Sequence, residues 1–280
     1  MNYRHSFHAG NSADVVKHSL LIALVRALQL KDGALTLIDT HSGCGLYDLY
    51  GEEAGRTGEA AQGVLRAFAD PNPLLDDYRA AVRAVNEGVG EGHGPRLYPG
   101  SPRILAQLLR PQDALILNEK HPEDARSLRA AMRGTPAAVH ERDAYELWLA
   151  LLPTRTPRGL VVVDPPYEQT DERDRITATL AMAHRKWAHG VTAIWYPLKD
   201  RPAHQRWKDQ LRKLRIPKFL VVEHWLYDGD QPGIYNGAGL FIVNPPYAFT
   251  QALPPLLEAL RAALAPEGHS GKISADWLSG

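Results

Sequence analysis

The chain of 280 residues carries 32 Lys and Arg against 32 Asp and Glu, is 44% apolar, and holds one cysteine. Zero net charge leaves non-specific adhesion to nucleic acid out of the composition, so a nucleic-acid partner requires a local basic surface. The lone Cys44 excludes a disulfide framework and a four-cysteine metal site, and fits a reducing, cytoplasmic compartment.

The opening NYRHSFHAGNSADVVKH is polar and lacks the apolar core of a secretory signal. Asn11 or Ser12 is placed to cap a helix beginning near Ala13. The apolar stretch LLIALVRALQL within that helix is interrupted by Arg26 and is too short to span a bilayer, so no membrane partner is expected. His5 and His8 have no obvious partner pair, and no metal is expected.

ALTLID (34–39) reads as the first strand, followed by THSGCG, whose glycines let the backbone approach a ligand closely. A dinucleotide fingerprint would need glycine at position 48, where Asp48 stands. The next 70 or so residues hold two amphipathic patterns, EAAQGVLRAFA and LLDDYRAAVRAVNE, then GVGEGHG. Residues 46–111 are therefore expected to form a helical insertion within one domain spanning 1–280. Six more strands follow: ALILNE (114–119), AAVHE (137–141), GLVVVD (159–164), VTAIWYP (191–197), KFLVVEHW (218–225) and GLFIVN (239–244).

Strands alternating with helical patterns imply an α/β fold, here a seven-stranded, mostly parallel sheet covered on both faces. Right-handed crossovers place the C-terminal ends of parallel strands on one rim, where ligands bind. The connection LYDGDQPGIYNGA has turn residues and no helical period. It suits a hairpin, which makes the last of these strands antiparallel.

Asp39, Glu119 and Asp164 stand at strand ends, and Asp143 follows the third strand within a few residues. Any one is an ordinary loop acid, but four in series converge on one ligand. The arrangement resembles S-adenosylmethionine methyltransferases of the Rossmann-like class, in which the acid after the second strand holds the ribose hydroxyls. Asp164 also opens DPPY (164–167), and a near copy, NPPY, occupies 244–247. The lone pair of an exocyclic amine is delocalised into its ring. A carboxylate and a proline-flanked carbonyl can accept its two N–H bonds and free that lone pair. Tyrosine supplies a stacking face for an extruded base. Asp164 ends a parallel strand and Asn244 an antiparallel one, so only the first copy is expected at the ligand rim. The stretch RPAHQRWKDQLRKLRIPK (201–218) has seven Lys and Arg against one acid. With the insertion, it is expected to face RNA.

The opening segment, together with DTHSGCG, YPGSP, NEKHP, RDAYE, DPPYE, WYP and NPPY in that order, resembles the bacterial 23S ribosomal RNA adenine-N6 methyltransferase family known as RlmJ. The resemblance covers nearly the whole chain. It implies a class I, S-adenosylmethionine-dependent domain that acts on protein-free or early-assembly 23S rRNA; nothing in the sequence suggests an obligate dimer, and a monomer is expected. Lys17 and His18 would meet the methionine end of the cofactor, with His41 and Ser101 lining the same pocket beside Asp39. Glu119 would hold the ribose and Asp143 the cofactor adenine. Asp164, also beside the cofactor, would be catalytic, with Pro165 and Tyr167 shaping the base pocket. Tyr3 and His5 would engage the target adenosine. Ala144 stands where the family commonly has glycine, a departure expected to preserve the backbone contact there. Guanine-N2 methylation of rRNA, DNA adenine methylation and non-catalytic RNA binding are the competing readings.

Overall fold

Asn11 caps the first helix, its side chain accepting the Asp14 amide at 2.9 Å. Helix α1 spans Ser12–Gln29 and leads into β1, Leu35–Asp39. The computed structural model describes residues 4–89, 94–227, 229, 231, 236–266 and 268–279. After β1 come β2 (Leu46–Asp48), α2 (Glu52–Thr57), α3 (Val64–Ala69), α4 (Asp76–Ala84), β3 (Leu97–Pro99) and α5 (Ser101–Leu108). Strand and helix then alternate through β4 (Ala114–Asn118), α6 (Pro122–Ala131), β5 (Ala138–His140), α7 (Ala144–Ala150) and β6 (Arg158–Val163). The alternation continues with α8 (Glu172–Lys186), β7 (Val191–Leu198), α9 (Arg201–Arg212) and β8 (Phe219–Trp225). The chain closes with β9 (Gly237–Val243), α10 (Tyr247–Leu264) and β10 (Lys272–Ser279).

The main sheet has the order β10-β8-β9-β7-β6-β1-β4-β5. From β5 to β7 every pairing is parallel. As the hairpin connection implied, β9 is antiparallel to both β7 and β8. The expectation of seven strands is corrected to eight, because β10 adds to β8 in antiparallel register. The sequence of β10, KISADWLS, gives little sign of this, since Leu278 is its only fully buried side chain. An edge strand is held by backbone bonds to one neighbour and needs no continuous apolar face. A second, two-stranded ladder pairs Leu46 with Pro99 and closes the residues between β1 and α5 into a loop. Strands of three residues are too short for their period to be read.

The apolar runs are continuous because both faces are covered. Leu160 and Val162 pack with α1, α5 and α10, while Val161 and Val163 pack with α7, α8 and α9. Among the described residues no helix is long and apolar enough to cross a membrane.

Strand direction then separates the two Pro-Pro-Tyr copies. Asp164 follows the C-terminal end of β6, beside those of β1 and β4. Asn244 follows the end of β9, at the opposite rim. There its side-chain amide donates to the carbonyls of Ala188 and Gly190 at 2.8 and 2.9 Å, just before β7 begins.

Gly239 on β9 is enforced by the Tyr196 ring, which stacks on Phe241 with centroids 4.3 Å apart. A β-carbon at 239 would overlap that ring, so Gly239→Ala is expected to lose about 1–3 kcal/mol of stability by overpacking. An unchanged urea midpoint would refute this.

Candidate active site

The rim is organised around a buried ion cluster contributed by α1 and the turn before it. Asp14, on the first turn of α1, accepts bonds from His5 Nε2 and the Gly10 amide, each at 2.9 Å, and from Lys17 Nζ at 2.9 Å. Lys17 Nζ also donates to Asp164 Oδ2 at 2.6 Å. Burial disfavours the Lys17 charge, but the flanking Asp14 and Asp164 carboxylates outweigh it and hold the ammonium above its ordinary range. Burial likewise opposes ionisation of Asp14, yet His5 and Lys17 keep its carboxyl well below the usual range.

Asp39, at the end of β1, is fully buried and accepts Ser101 Oγ at 2.7 Å and the His41 amide at 3.3 Å. Ser101 is the first residue of α5, so the crossover helix anchors this carboxylate. Burial pushes the Asp39 carboxyl up to about 7; the Ser101 bond opposes the shift and nearby Asp164 adds to it. His41 bonds Thr40 Oγ1 through Nδ1 at 2.8 Å and meets the Tyr145 ring edge-on. Burial pulls it down to about 3, which keeps the ring neutral. Burial also takes His18 to about 3; its Nδ1 pairs with Tyr98 Oη at 2.8 Å, while Nε2 has no partner among the described residues.

Glu119 follows β4 and faces the glycine loop: Gly43 N–H donates to Oε2 at 2.9 Å and His121 N–H to Oε1 at 2.8 Å. Burial raises its pKa, and these amides oppose the rise. Each carboxylate oxygen keeps a further lone pair, so the group can still accept two hydroxyls. Gly43 and Gly45, at φ 56° and 78°, turn the chain back over this carboxylate. Asp143 is more committed. It caps α7 through the Tyr145 and Glu146 amides and binds Lys120 and Arg175, each at 3.2 Å. Burial opposes its ionisation, but the Lys120 bond, the capped amides and Arg175 hold its pKa down.

Pro165 is buried, and Tyr167 has φ 55°, with its hydroxyl donating to the Trp195 carbonyl at 2.6 Å. The motif is thus locked onto β7. The structure brings Lys17, Asp39, Ser101, Asp164 and, through Asp14, His5 into one cluster. Glu119, His41 and Asp143 stand at the adjoining strand ends. Tyr3 lies outside the described residues.

Three contributors escaped the sequence reading. Asp14 looked like an ordinary acid in a helix's first turn, although its position three residues after a capping Asn and three before Lys17 was a signal. Asn118 accepts the Arg142 amide and donates to the Thr40 and Arg142 carbonyls, each at 3.1 Å, pinning the loops after β1 and β5. Trp195, in the WYP segment, places its ring centroid 5.8 Å from Lys17 Nζ. Among the described residues no group of three or more His, Cys, Asp or Glu is placed to hold a metal.

A family model described as "Ribosomal RNA large subunit methyltransferase D, RlmJ" matches residues 32–279. Ribosomal RNA large subunit methyltransferase J of Escherichia coli (strain K12) is 36% identical over 280 residues, covering 99% of both chains. The protein of the same name from Haemophilus influenzae is 36% identical over 281 residues, covering 100% of this chain and 99% of its own. The crystal structure of protein LPL1258 from Legionella pneumophila superposes with a TM-score of 0.87 at 30% identity, covering 96% of this chain and 98% of that one.

Asp39 gives the site a pH signature. Its folded pKa of about 7 lies above the ordinary 3.8, so between these values the folded state binds a proton that the unfolded chain has released. Stability from this group is fully present below about pH 4 and is lost as pH rises through about 7. Asp39→Asn keeps an acceptor for Ser101 and removes the titration. Denaturation of both proteins from about pH 4 to pH 8 should show the variant gaining on wild type by an amount on the order of a few kcal/mol. Parallel profiles would show that Asp39 does not titrate there.

Proposed function

The chain belongs to the RlmJ family of ribosomal RNA large subunit methyltransferases, and we propose that it methylates the N6 amino group of an adenine in 23S rRNA, with Asp164 orienting the amine. S-adenosylmethionine, when bound, supplies an electrophilic methyl group on a sulfonium centre. The observation that carries the reading is the placement of Asp164. It lies on the rim formed by the parallel strands, bonded to Lys17 and electrostatically coupled to Asp39, while the second Pro-Pro-Tyr lies across the sheet.

The residues fit such a cofactor. Glu119 retains acceptor capacity for a ribose diol beside a glycine loop, and the neutral His41 and His18 add no competing charge. Lys17 and His18 meet the methionine end, Ser101 and Asp39 line the pocket, and Asp143 lies near the cofactor adenine. Asp164 accepts an N–H bond from the target amine and turns its lone pair outward, while Pro165 contributes to the base pocket. Tyr167, held by its bond to β7, offers a fixed wall for the base. His5, fixed by Asp14, faces the target together with Tyr3. In the same reading the protein is a cytoplasmic monomer acting on protein-free or early-assembly RNA, one domain over 1–280. Its insertion at 46–111 supports the amino-terminal segment: Glu59 accepts bonds from His8 at 2.9 Å and Asn11 at 3.0 Å.

Transfer of labelled methyl from S-adenosylmethionine to protein-free 23S rRNA, followed by digestion to nucleosides, tests this. Wild type should yield N6-methyladenosine. Asp164→Ala should lower kcat by about 10²–10³, the usual worth of a preorganised hydrogen-bonding group. Asn244→Ala should keep wild-type kcat at saturating RNA. Methylguanosine as product would replace the adenine reading with guanine-N2 methylation.

Loss of charge-assisted bonds worth about 1.5–3 kcal/mol each should make Glu119→Ala bind S-adenosylmethionine about 10- to 100-fold more weakly by calorimetry. An unchanged affinity would remove Glu119 from the cofactor site.

A further inference from the structure

Two sequence features take no part in this chemistry, the basic stretch 201–218 and the second Pro-Pro-Tyr. The fold brings them together. Helix α9 starts at the catalytic rim, after β7, and descends the sheet, so residues 213–218 arrive where β8 begins. There the Asn244 backbone N–H donates to the Lys218 carbonyl at 2.9 Å. Tyr247, three residues on, is 78% exposed.

The cations of the stretch divide by height. Nearer the catalytic rim, Arg201 lies 3.9 Å from the Trp225 ring centroid and Lys208 pairs with buried Glu223 at 2.9 Å, while Arg206 is exposed. The single acid, Asp209, is taken by Arg212. Lys213, Arg215 and Lys218 are exposed and have no ion-pair partner among the described residues. Across Asn244, the exposed Arg185 and His189 extend the same face from the end of α8. Four non-glycine residues have left-handed backbone among those described; one is Tyr167, and the other three, Arg215, Lys218 and Asn244, gather at this rim. Such conformations are uncommon outside glycine and collect at functional sites.

We infer that this face is a second RNA-contact surface, in which Lys213, Arg215 and Lys218 meet phosphates and Tyr247 stacks an unpaired base. The inference rests on rRNA being the substrate and extends it. The RNA would reach a site roughly 25 Å from the target adenine, the length of the eight-residue β7. Cations interleaved with an exposed aromatic ring fit single-stranded nucleic acid, where charge tracks the backbone and the ring takes any base. A neutral composition requires a local basic surface for RNA, and the exposed, unpaired Lys213, Arg215 and Lys218 supply one at this rim.

The test measures binding of a protein-free 23S rRNA fragment across about 50–200 mM salt. The proteins are wild type, Lys213→Gln/Arg215→Gln/Lys218→Gln, Tyr247→Ala and Tyr247→Trp. The triple variant should bind about tenfold more weakly at the low-salt end, and the slope of log K against log salt should fall by about 2, near 0.7 per lost contact. Tyr247→Ala should lose about tenfold with the slope unchanged, and Tyr247→Trp should restore binding. The kcat at saturating RNA and the affinity for S-adenosylmethionine should match wild type. Wild-type affinity and slope in the triple variant would overturn the inference. So would intact RNA binding with loss of binding to phosphatidylserine vesicles, which would assign the face to a membrane surface. Wild-type methylation of the same fragment tests the underlying reading separately, because it needs no variant.

Discussion

A lysine ammonium held between two carboxylates is the interaction on which the rim of parallel strand ends depends. Lys17 is 5% exposed, bonded to Asp14 on one side and Asp164 on the other. Removing a charge from water costs several kcal/mol, and the cost is recovered only when every partner is in place. Asp14 therefore cannot be considered apart from what it holds. It fixes the Gly10 amide, His5 and Lys17 at once, so the segment before α1 and the end of β6 share one electrostatic centre. The carboxylate assigned to the chemistry is positioned from a helix more than a hundred residues earlier in the chain.

Around that centre, neighbouring strand ends are tied by short polar bonds instead of apolar packing. Ser101 links α5 to β1, Asn118 links the loops after β1 and β5, and Tyr167 links the segment after β6 to β7. Each bond satisfies a group that would otherwise be buried unpaired, and each fixes the direction of a loop that carries a site residue. The segment between β1 and α5 joins the same scheme from outside. Its Thr57 and Glu59 bond the amino-terminal segment at Phe7, His8 and Asn11, so a part of the chain remote from β6 helps to place His5.

The two rims have different electrostatic characters despite a net charge of zero. Carboxylates crowd the rim of parallel strand ends, where Asp39, Glu119, Asp143 and Asp164 stand at or just beyond β1, β4, β5 and β6. The opposite rim collects the ends of α8 and α9, where basic residues also suit the negative end of the helix macrodipole. Glu223, buried with His204, Tyr196 and Trp225, takes up the Lys208 ammonium before α9 reaches the opposite rim.

The sequence by itself determined the alternation of strands and helices, the reversed direction of β9, the cap of α1 and the acids at the strand ends. Those features follow from local period, turn chemistry and the side-chain demands of adjacent residues. It left β10 hidden, because an edge strand is selected by backbone pairing, and it gave Asp14 no special standing. Only the tertiary structure decided that Asp143 caps a helix between two cations, that Asp14 joins His5 to Lys17, and that the second Pro-Pro-Tyr meets the end of the basic stretch. Each of these depends on where distant segments meet, and the charge of a side chain becomes significant only when burial and its neighbours determine whether it is paired.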